Sequence, residues 1–337
     1  MMGGVDDFAM ELTMKTTRAL IQATLSLSLL AMTACTTTNT NTPDSSRAAS
    51  MAEAGELVAP GIYDVATGQL VTRAQLFGEL SKARFVVVGE SHDDPFHHEV
   101  ELSVYRGVAT SRDAGAVLLG MEMFQRPFQG PLDEYVAKNI DQDTMLAQTE
   151  WEKRWKFPVE FYAPLWKFAR ENGWKVVALN APRELTKRLS KVGVDGLNDA
   201  ERAQLPELDL QNAAHKNWVK EVFASHGMST DDDTFENFYA AQVLWDETMA
   251  QAAVEAMDGR SGDDAMVIVA GSGHVMNRWG IPSRIERRLG DAAGQVKTVI
   301  VVSSPEAANS LQARTSVTRA DLGMWRSQGY ADYVWIQ

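Results

Sequence analysis

The chain has 337 residues, a formal net charge of −13 at pH 7 and a single cysteine, and 45% of its residues are hydrophobic. The strong negative charge disfavours binding to nucleic acid or, electrostatically, to anionic lipid. A lone cysteine excludes an intramolecular disulfide, so stability must come from a hydrophobic core. Composition therefore predicts an acidic globular domain with no nucleic-acid partner.

Residues 1–34 are typical of a secretory signal peptide. A short basic segment at 14–18 precedes an apolar stretch at 19–31, which is too short for a stable membrane span. The residues before Met14 include three acidic side chains, which is the wrong charge for the front of a signal. We therefore expect the true start to be Met14.

The segment Met32-Thr33-Ala34-Cys35 resembles a bacterial lipobox. It predicts a lipid on Cys35 that anchors the mature chain to the cell envelope, and an ordinary signal peptide with a chance cysteine is the alternative. No aspartate follows the cysteine, which favours the outer membrane. Residues 35–57, rich in Thr, Ser, Asn and Ala, are predicted to be a flexible tether.

Beyond the tether, apolar runs alternate with helical patterns in a single predicted domain, 58–337. A short hairpin is expected near Gly61, followed by a helix over 72–80. Strands are predicted at 84–89, 116–121, 175–179, 265–270, 297–302 and 332–336. Continuous β-branched runs are typical of strands buried on both faces. The alternation predicts an α/β fold with a mainly parallel central sheet and helices on both faces.

Two long intervals, about 125–172 and 182–258, have a helical pattern and predict a large helical insertion or lid over one edge of the sheet. The first interval is unusually aromatic. Eight aromatic residues fall within 24 positions at its end: Trp151, Trp155, Phe157, Phe161, Tyr162, Trp166, Phe168 and, just beyond it, Trp174. Such helix faces are most often core, and the alternative is a wall for a large flat ligand.

Polar side chains follow several of the predicted strands. Glu90 and His92 come after the first, Glu122 after the second, Arg183 after the third and His274 after the strand at 265–270. The carboxyl ends of parallel strands meet at one edge of a sheet, where open α/β folds place their sites. We therefore expect His92 and His274 to share one crevice.

This set of side chains suits two kinds of chemistry. His92, Glu122 and His274 have the donor types of a divalent metal site. Together with Glu90 and Asp246 they could instead perform general acid–base catalysis. The simplest alternative is that they satisfy backbone groups at the strand ends.

Two adjacent histidines open the helix that follows the first strand. On a helix His98 shares a face with Leu102, while His97 lies beside Glu101. We expect only one of the two histidines to turn inward.

Taken in order, several segments resemble the ChaN-type haem-binding lipoproteins from about residue 58 to 337. Besides the lipobox they are Val-Val-Gly-Glu-Ser-His-Asp-Asp-Pro-Phe-His-His (87–98), Leu-Gly-Met-Glu-Met-Phe (119–124), Trp-x₃-Trp (151–155), Phe-Tyr-Ala-Pro-Leu (161–165), Ala-Leu-Asn-Ala-Pro-Arg (178–183), Gln-Val-Leu-Trp-Asp-Glu-Thr-Met-Ala (242–250) and Ala-Gly-Ser-Gly-His (270–274). That family resembles in turn the TraB/Tiki and erythromycin-esterase-like proteins.

The resemblance implies a surface-anchored haem-binding protein of haem or iron uptake, working with a haem receptor or transporter. Haem would lie between two subunits of a homodimer, with a tyrosine on the iron. Tyr162 is the first choice for that ligand and Tyr135 the second, and His98 and Arg183 are further cofactor-binding candidates.

The Tiki-like relatives imply an alternative function. Their metal maps onto His92, Glu122 and His274, which would make the chain a metal-dependent hydrolase of peptides or esters. A scaffold lipoprotein with an inactive crevice is the third possibility.

Overall fold

The computed structural model describes residues 55–225, 232–290, 294–303 and 317–337. The predicted signal peptide, Cys35 and most of the predicted tether lie outside the described residues. Folded contacts already involve Glu56, whose carboxylate accepts a hydrogen bond from Nε of Arg319 at 2.8 Å. Leu57 forms an antiparallel bridge with Thr318, so the last residues assigned to the tether contact the folded domain.

The described chain begins with the hairpin expected near Gly61. Strands β1 (Gly61–Asp64) and β2 (Gln69–Val71) pair antiparallel, and helix α1 (Arg73–Leu80) follows. Thr72 caps α1 in a reciprocal capping box with Gln75, which satisfies two backbone donors that the first turn leaves open. The predicted helix over 72–80 therefore starts at its cap residue.

Six further strands complete an eight-stranded sheet. They are β3 (Phe85–Glu90), β4 (Val117–Gln125), β5 (Val176–Asn180), β6 (Ala265–Gly271), β7 (Val296–Val302) and β8 (Tyr333–Ile336), and the order across the sheet is β2-β1-β8-β7-β3-β6-β4-β5. All pairs from β8 to β5 are parallel, and only the β1–β2 hairpin and its pairing with β8 are antiparallel. The predicted mainly parallel α/β fold is confirmed.

The helices after α1 cover both faces of this sheet. They are α2 (Pro95–Thr110), α3 (Gln129–Val136), α4 (Gln142–Gln148), α5 (Trp151–Arg154), α6 (Val159–Asn172), α7 (Arg183–Val192), α8 (Asp199–Arg202), α9 (Ala213–Ser225), α10 (Asp232–Met257), α11 (Ile281–Leu289) and α12 (Arg319–Gln328). Helices α1 to α6 contribute to the core on one face, and α10 to α12 to the core on the other.

The residues of β3 before Gly89 are all apolar because both faces of the strand are buried. Val86 and Val88 belong to the core beneath α1 to α6, whereas Phe85 and Val87 belong to the core beneath α10 to α12. Successive side chains of a strand point to opposite faces, so a strand covered on both sides must be hydrophobic throughout.

The aromatic helices α5 and α6 are packed as core. Trp151, Trp155, Tyr162 and Trp166 are buried, and the rings of Trp151 and Trp166 meet edge to face with centroids 5.4 Å apart. Burial of such large rings is a major source of stability. Among the described residues, none of the helices combines the length and the apolar character needed to cross a membrane.

Candidate functional site at the strand ends

The carboxyl ends of β3, β4 and β6 converge because β6 lies between the other two. The hydroxyl of Ser272 donates to the backbone carbonyl of Glu90 at 2.9 Å, and Oε2 of Glu122 accepts the backbone N–H of Gly271 at 2.7 Å. These two bonds tie the three strand ends together around the predicted crevice.

His92 lies at the β3 end, where its Nδ1 is hydrogen-bonded to Oε1 of Glu90. Both side chains are buried. Burial alone would lower the pKa of His92, but the adjacent Glu90 carboxylate raises this pKa to about 9. For Glu90, burial raises the pKa and the charge of His92 opposes the rise.

His274 lies at the β6 end between two carboxylates. Its Nδ1 is 2.7 Å from Oδ1 of Asp246 on α10, and its Nε2 is 3.5 Å from Oε1 of Glu122. Against the effect of burial, these charges raise the pKa of His274 to about 10. The reciprocal effect on Glu122 outweighs its own burial and lowers the pKa of that carboxyl to about 2.

The structure therefore brings together all five residues predicted as catalytic candidates: Glu90, His92, Glu122, Asp246 and His274. At neutral pH the site holds a protonated imidazole beside an ionised carboxylate. Such a pair has the elements of general acid–base chemistry.

The strand predicted at 116–121 extends further than expected and includes Glu122. It lies inside β4, which continues to Gln125 rather than ending at 121. The β4–β6 register ends at Met121, and the β4–β5 register shifts between Met121 and Gln125. Glu122 therefore lies where the strand leaves its neighbour, and this position lets its carboxylate face the β6 end.

The predicted metal trio is only partly gathered, since His274 and Glu122 are its one pair within ion-pair distance. In the described part of the chain, a different group has ligand atoms that all lie within 4.8 Å of one another: Glu90, His98 and Glu101. Burial raises the pKa of Glu101 well above its ordinary value. The signal for Glu101 in the sequence was its position three residues after His98.

The expectation that only one of the paired histidines turns inward is wrong, because His97 and His98 are 3% and 5% exposed. Nδ1 of His97 accepts the backbone N–H of Ser91 at 2.8 Å, and its Nε2 lies 3.0 Å from Oγ of Ser303. The helix packs against strand ends on two sides at its first turn, so adjacent side chains find separate buried partners.

Of the remaining cofactor-binding candidates, Tyr162 contacts the strand-end site, whereas Tyr135 and Arg183 have their contacts elsewhere. The Tyr162 hydroxyl donates to Oε1 of Glu90 at 3.2 Å and so reaches the site. Burial and then the charge of Glu90 raise the pKa of Tyr162 well above its ordinary value. Tyr135 instead packs its ring against the guanidinium of Arg170. Arg183 donates to the backbone carbonyl of Lys153 at 2.9 Å.

Aromatic rings flank both histidines. Trp155 and the half-buried Phe157 lie 4.8 and 5.2 Å from His92, measured between ring centroids. Trp245, also half-buried, lies 6.3 Å from His274 in an edge-on arrangement. The site therefore has polar groups at its centre and aromatic rings at two sides.

Sequence reasoning missed a buried histidine and a buried ion-pair network behind His274. His215 on α9 is 1% exposed, and its Nε2 lies 3.9 Å from Oδ2 of Asp246. Glu247, also buried, faces three arginines of α11, namely Arg284, Arg287 and Arg288. The sequence signal was the arginine repeat in 284–288, which resembles an ordinary solvated helix face.

A sequence model of the family described as "Haem-binding uptake, Tiki superfamily, ChaN" matches residues 76–285. This range covers more than half of the chain and includes every residue of the strand-end site. The chain belongs to the ChaN family of the Tiki superfamily.

Similar proteins lie in bacteria and plants. The fold is similar to that in a structure described as cofacial heme binding to ChaN of Campylobacter jejuni, with 17% identity, a TM-score of 0.58, and coverage of 81% of this chain and 94% of that one. An erythromycin esterase structure is 13% identical, with a TM-score of 0.40 over 72% of this chain and 76% of that one.

A plant relative, Protein RETICULATA-RELATED 5, chloroplastic, from Arabidopsis thaliana, is 24% identical over 265 residues. The match covers 70% of this ChaN-family chain but only 34% of the plant protein.

Proposed function

We propose that this ChaN-family protein binds haem at the strand-end site and serves haem or iron uptake at the bacterial cell envelope. The observation that carries the proposal is the family match over 76–285, which contains the whole site. The fold shared with a ChaN structure that binds heme cofacially supports it. A pair of haems in that arrangement would be enclosed by a homodimer.

The surroundings of the site suit a flat apolar guest with a polar edge. Phe157 and Trp245 are half-buried beside the two histidines, so each has ring surface that a ligand can cover. Arg183 begins α7 near the aromatic helices, and we assign it to the propionates. His98 is already engaged by Glu101 at 3.0 Å, which makes it the weaker candidate for that role.

Among the tyrosines we assign the iron ligand to Tyr162, because its hydroxyl reaches the strand ends while Tyr135 packs on Arg170. All seven tyrosines of the chain are buried. Ligation by Tyr162 therefore requires the segment carrying Trp155 and Phe157 to move aside, and iron must replace the phenolic proton that burial retains.

Haemin titration tests this assignment. The full chain with Cys35→Ser, which prevents lipid attachment, should give a Soret band typical of tyrosinate ligation and shift from monomer to dimer in sedimentation. Tyr162→Phe should remove that spectrum, and Tyr135→Phe is the matched control that should keep it. A flat titration at micromolar protein rejects haem binding, while an unchanged spectrum in Tyr162→Phe rejects the ligand.

The envelope location is a separate part of the proposal. We assign the lipid to Cys35 and the anchor to the outer membrane, where the protein would pass haem to a receptor or transporter. Metabolic labelling with a radioactive fatty acid should mark the native chain and not Cys35→Ser, and fractionation should find the label with the outer membrane. Equal labelling of both chains would reject the anchor.

A hydrolase is the second candidate, favoured by the protonated His274 held beside the ionised Glu122. Because the expected trio His92, Glu122 and His274 does not gather around one point, acid–base groups would perform the reaction. His92→Ala and His274→Ala should each reduce hydrolysis of chromogenic esters or peptides at least a hundredfold, and Tyr135→Phe should not. Activity that survives both histidine variants would exclude this reaction at the site.

A further inference from the structure

A second group of buried polar atoms lies beside the site, at the junction of β3 and α2. Glu90 and Glu101 are fully buried, and Oε2 of Glu90 and Oε1 of Glu101 have no hydrogen-bond partner. His98 lies between the two carboxylates. Its Nδ1 is 3.0 Å from Oε2 of Glu101, and its Nε2 is 3.8 Å from Oε2 of Glu90.

In the part of the chain that the structure describes, the basic side chains within ion-pair distance of Glu90 and Glu101 are histidines. His92 contacts Glu90 and His98 contacts Glu101, and one oxygen of each carboxylate is left without a hydrogen-bond partner. Buried carboxylates are normally paired or coordinate a metal ion, and a cation placed between these two oxygens would satisfy both.

We propose that Glu90, His98 and Glu101 form a binding site for one divalent first-row transition-metal ion. Ligand atoms from the three residues lie within 4.8 Å of one another, so one ion can reach all three with small side-chain movements. Two carboxylates and one imidazole suit Zn²⁺, Mn²⁺ or Fe²⁺, whereas Ca²⁺ takes six to eight oxygen ligands.

Rigid elements hold the three ligands. His98 and Glu101 are three residues apart on α2, which places them on one face of the helix. The helix begins at Pro95 under a cap from Asp94, so its first turn is fixed against the β3 end that carries Glu90. Ligands on helices and strands are positioned more precisely than ligands on loops.

Tyr162 and Phe161 lie next to the three ligands and help to orient them. The Tyr162 hydroxyl donates to Oε1 of Glu90 and leaves Oε2 available. The ring of Phe161 stacks on His98 with centroids 4.7 Å apart and an interplanar angle of 21°. Hydrogen bonds to ligating carboxylates and an apolar wall around the ligands both orient them and exclude water.

The site differs from the predicted trio of His92, Glu122 and His274, and it does not depend on haem. The purified full chain with Cys35→Ser is stripped with a chelator and titrated with ZnCl₂, and separately with MnCl₂, by calorimetry. We expect one ion per chain and a rise in Tm on binding. Binding of neither ion would overturn the proposal whatever the haemin titration gives.

Glu101→Gln is the decisive variant because it keeps the shape of the side chain and removes the charge. It should weaken metal binding at least tenfold, while metal-free Tm stays the same or rises because a neutral amide replaces a buried acid. The matched control is Glu99→Gln, an exposed position on the same helix, which should bind as the parent chain does.

Equal metal affinity in Glu101→Gln and the parent would reject the site. If Glu101→Gln fails to fold by circular dichroism, His98→Gln takes its place with the same criterion. A purely structural role for Glu101 would change Tm equally with and without metal, and this result would also contradict the proposal.

Discussion

The two histidine-bearing strand ends look alike in sequence and differ in how their charges are balanced. At the β6 end, Asp246 lies beside His274 and Glu247 beside arginines of α11. Oδ2 of Asp246 has no hydrogen-bond partner, but it lies 3.9 Å from Nη1 of Arg284. At the β3 end, Glu90 and Glu101 face histidines, and two of their four oxygens have no hydrogen-bond partner.

The comparison separates buried carboxylates that face arginines from buried carboxylates that face histidines. A buried charge is tolerated when paired and is expensive when unpaired. A guanidinium always carries its charge, so the carboxylates at the β6 end have permanent cationic partners in Arg284, Arg287 and Arg288. Among the described residues, Glu90 and Glu101 have only histidines within ion-pair distance, and this difference is the reason for assigning the β3 end a metal ion.

Removal of Glu247 should have the largest effect on stability at the β6 end. Arg284 is 3% exposed and its Nε lies 3.1 Å from Glu247, so Glu247→Ala removes the nearest carboxylate from a buried guanidinium and leaves only Asp246, at 3.9 Å. We expect a loss of about 3–5 kcal/mol in the free energy of unfolding, measured with urea.

The control is Glu255→Ala on the same helix, where an exposed carboxylate pairs with Arg126 at 2.7 Å. Its loss should be at most ~1 kcal/mol. Similar losses in the two variants would show that the network at the β6 end is not the tightly paired one inferred here.

Acid should weaken the β6 end through His215. Burial lowers its pKa to about 4, opposed by Asp246 and assisted by the positive Arg284 and His274, with Asp209 a further opposing charge. The unfolded chain takes up a proton here below pH 6.5, but the folded chain does so only near pH 4. Stability from this residue is therefore intact above 6.5 and is lost between 6.5 and 4.

His215→Phe should flatten the pH dependence over that window by up to ~3 kcal/mol, as measured by urea unfolding from pH 7.5 to 4. Parallel stability profiles for the variant and the parent chain would mean that His215 is protonated as readily in the folded state as in the unfolded state.

The two strand-end glycines should respond differently to a methyl group. A Cβ at Gly89 would lie 2.5 Å from Cδ1 of Ile300 and 3.2 Å from the backbone of Ser272, whereas at Gly273 the nearest atom is 3.7 Å away on Trp218. Gly89→Ala should cost about 1–3 kcal/mol and Gly273→Ala less than ~0.5 kcal/mol in thermal or urea unfolding. Equal losses of stability in the two variants would show that the two glycines are packed equally tightly.

Much of the strand-end site was predictable from its residues. Apolar runs ending in Gly-Glu-Ser-His and Gly-Ser-Gly-His indicated parallel strands whose carboxyl ends meet, and the structure places His92 and His274 there with Glu90, Glu122 and Asp246. The general rule for parallel sheets was sufficient because it depends on strand direction, which the alternation of strands and helices reveals.

The partners within the site were not predictable. Asp246 lies in the middle of a 26-residue helix, and nothing in its spacing shows that it meets His274 at 2.7 Å. His97 and His98 illustrate the same difficulty, since helical periodicity allowed only one of them to turn inward but the contacts of His97 to Ser91 and Ser303 bury it as well. Helical periodicity shows which residues share a face of one helix. It does not show that strand ends pack against the first turn of that helix from two sides.

The sequence by itself determined the class of fold, the edge of the sheet that carries the polar groups and the family to which the chain belongs, because these follow from local patterns and ordered motifs. Only the tertiary structure decided which carboxylate pairs with which histidine, that Glu101 joins Glu90 and His98, and that Tyr162 rather than Tyr135 reaches the site. These pairings depend on how helices distant in sequence dock onto the sheet, and distances of a few ångströms set the charge on each group.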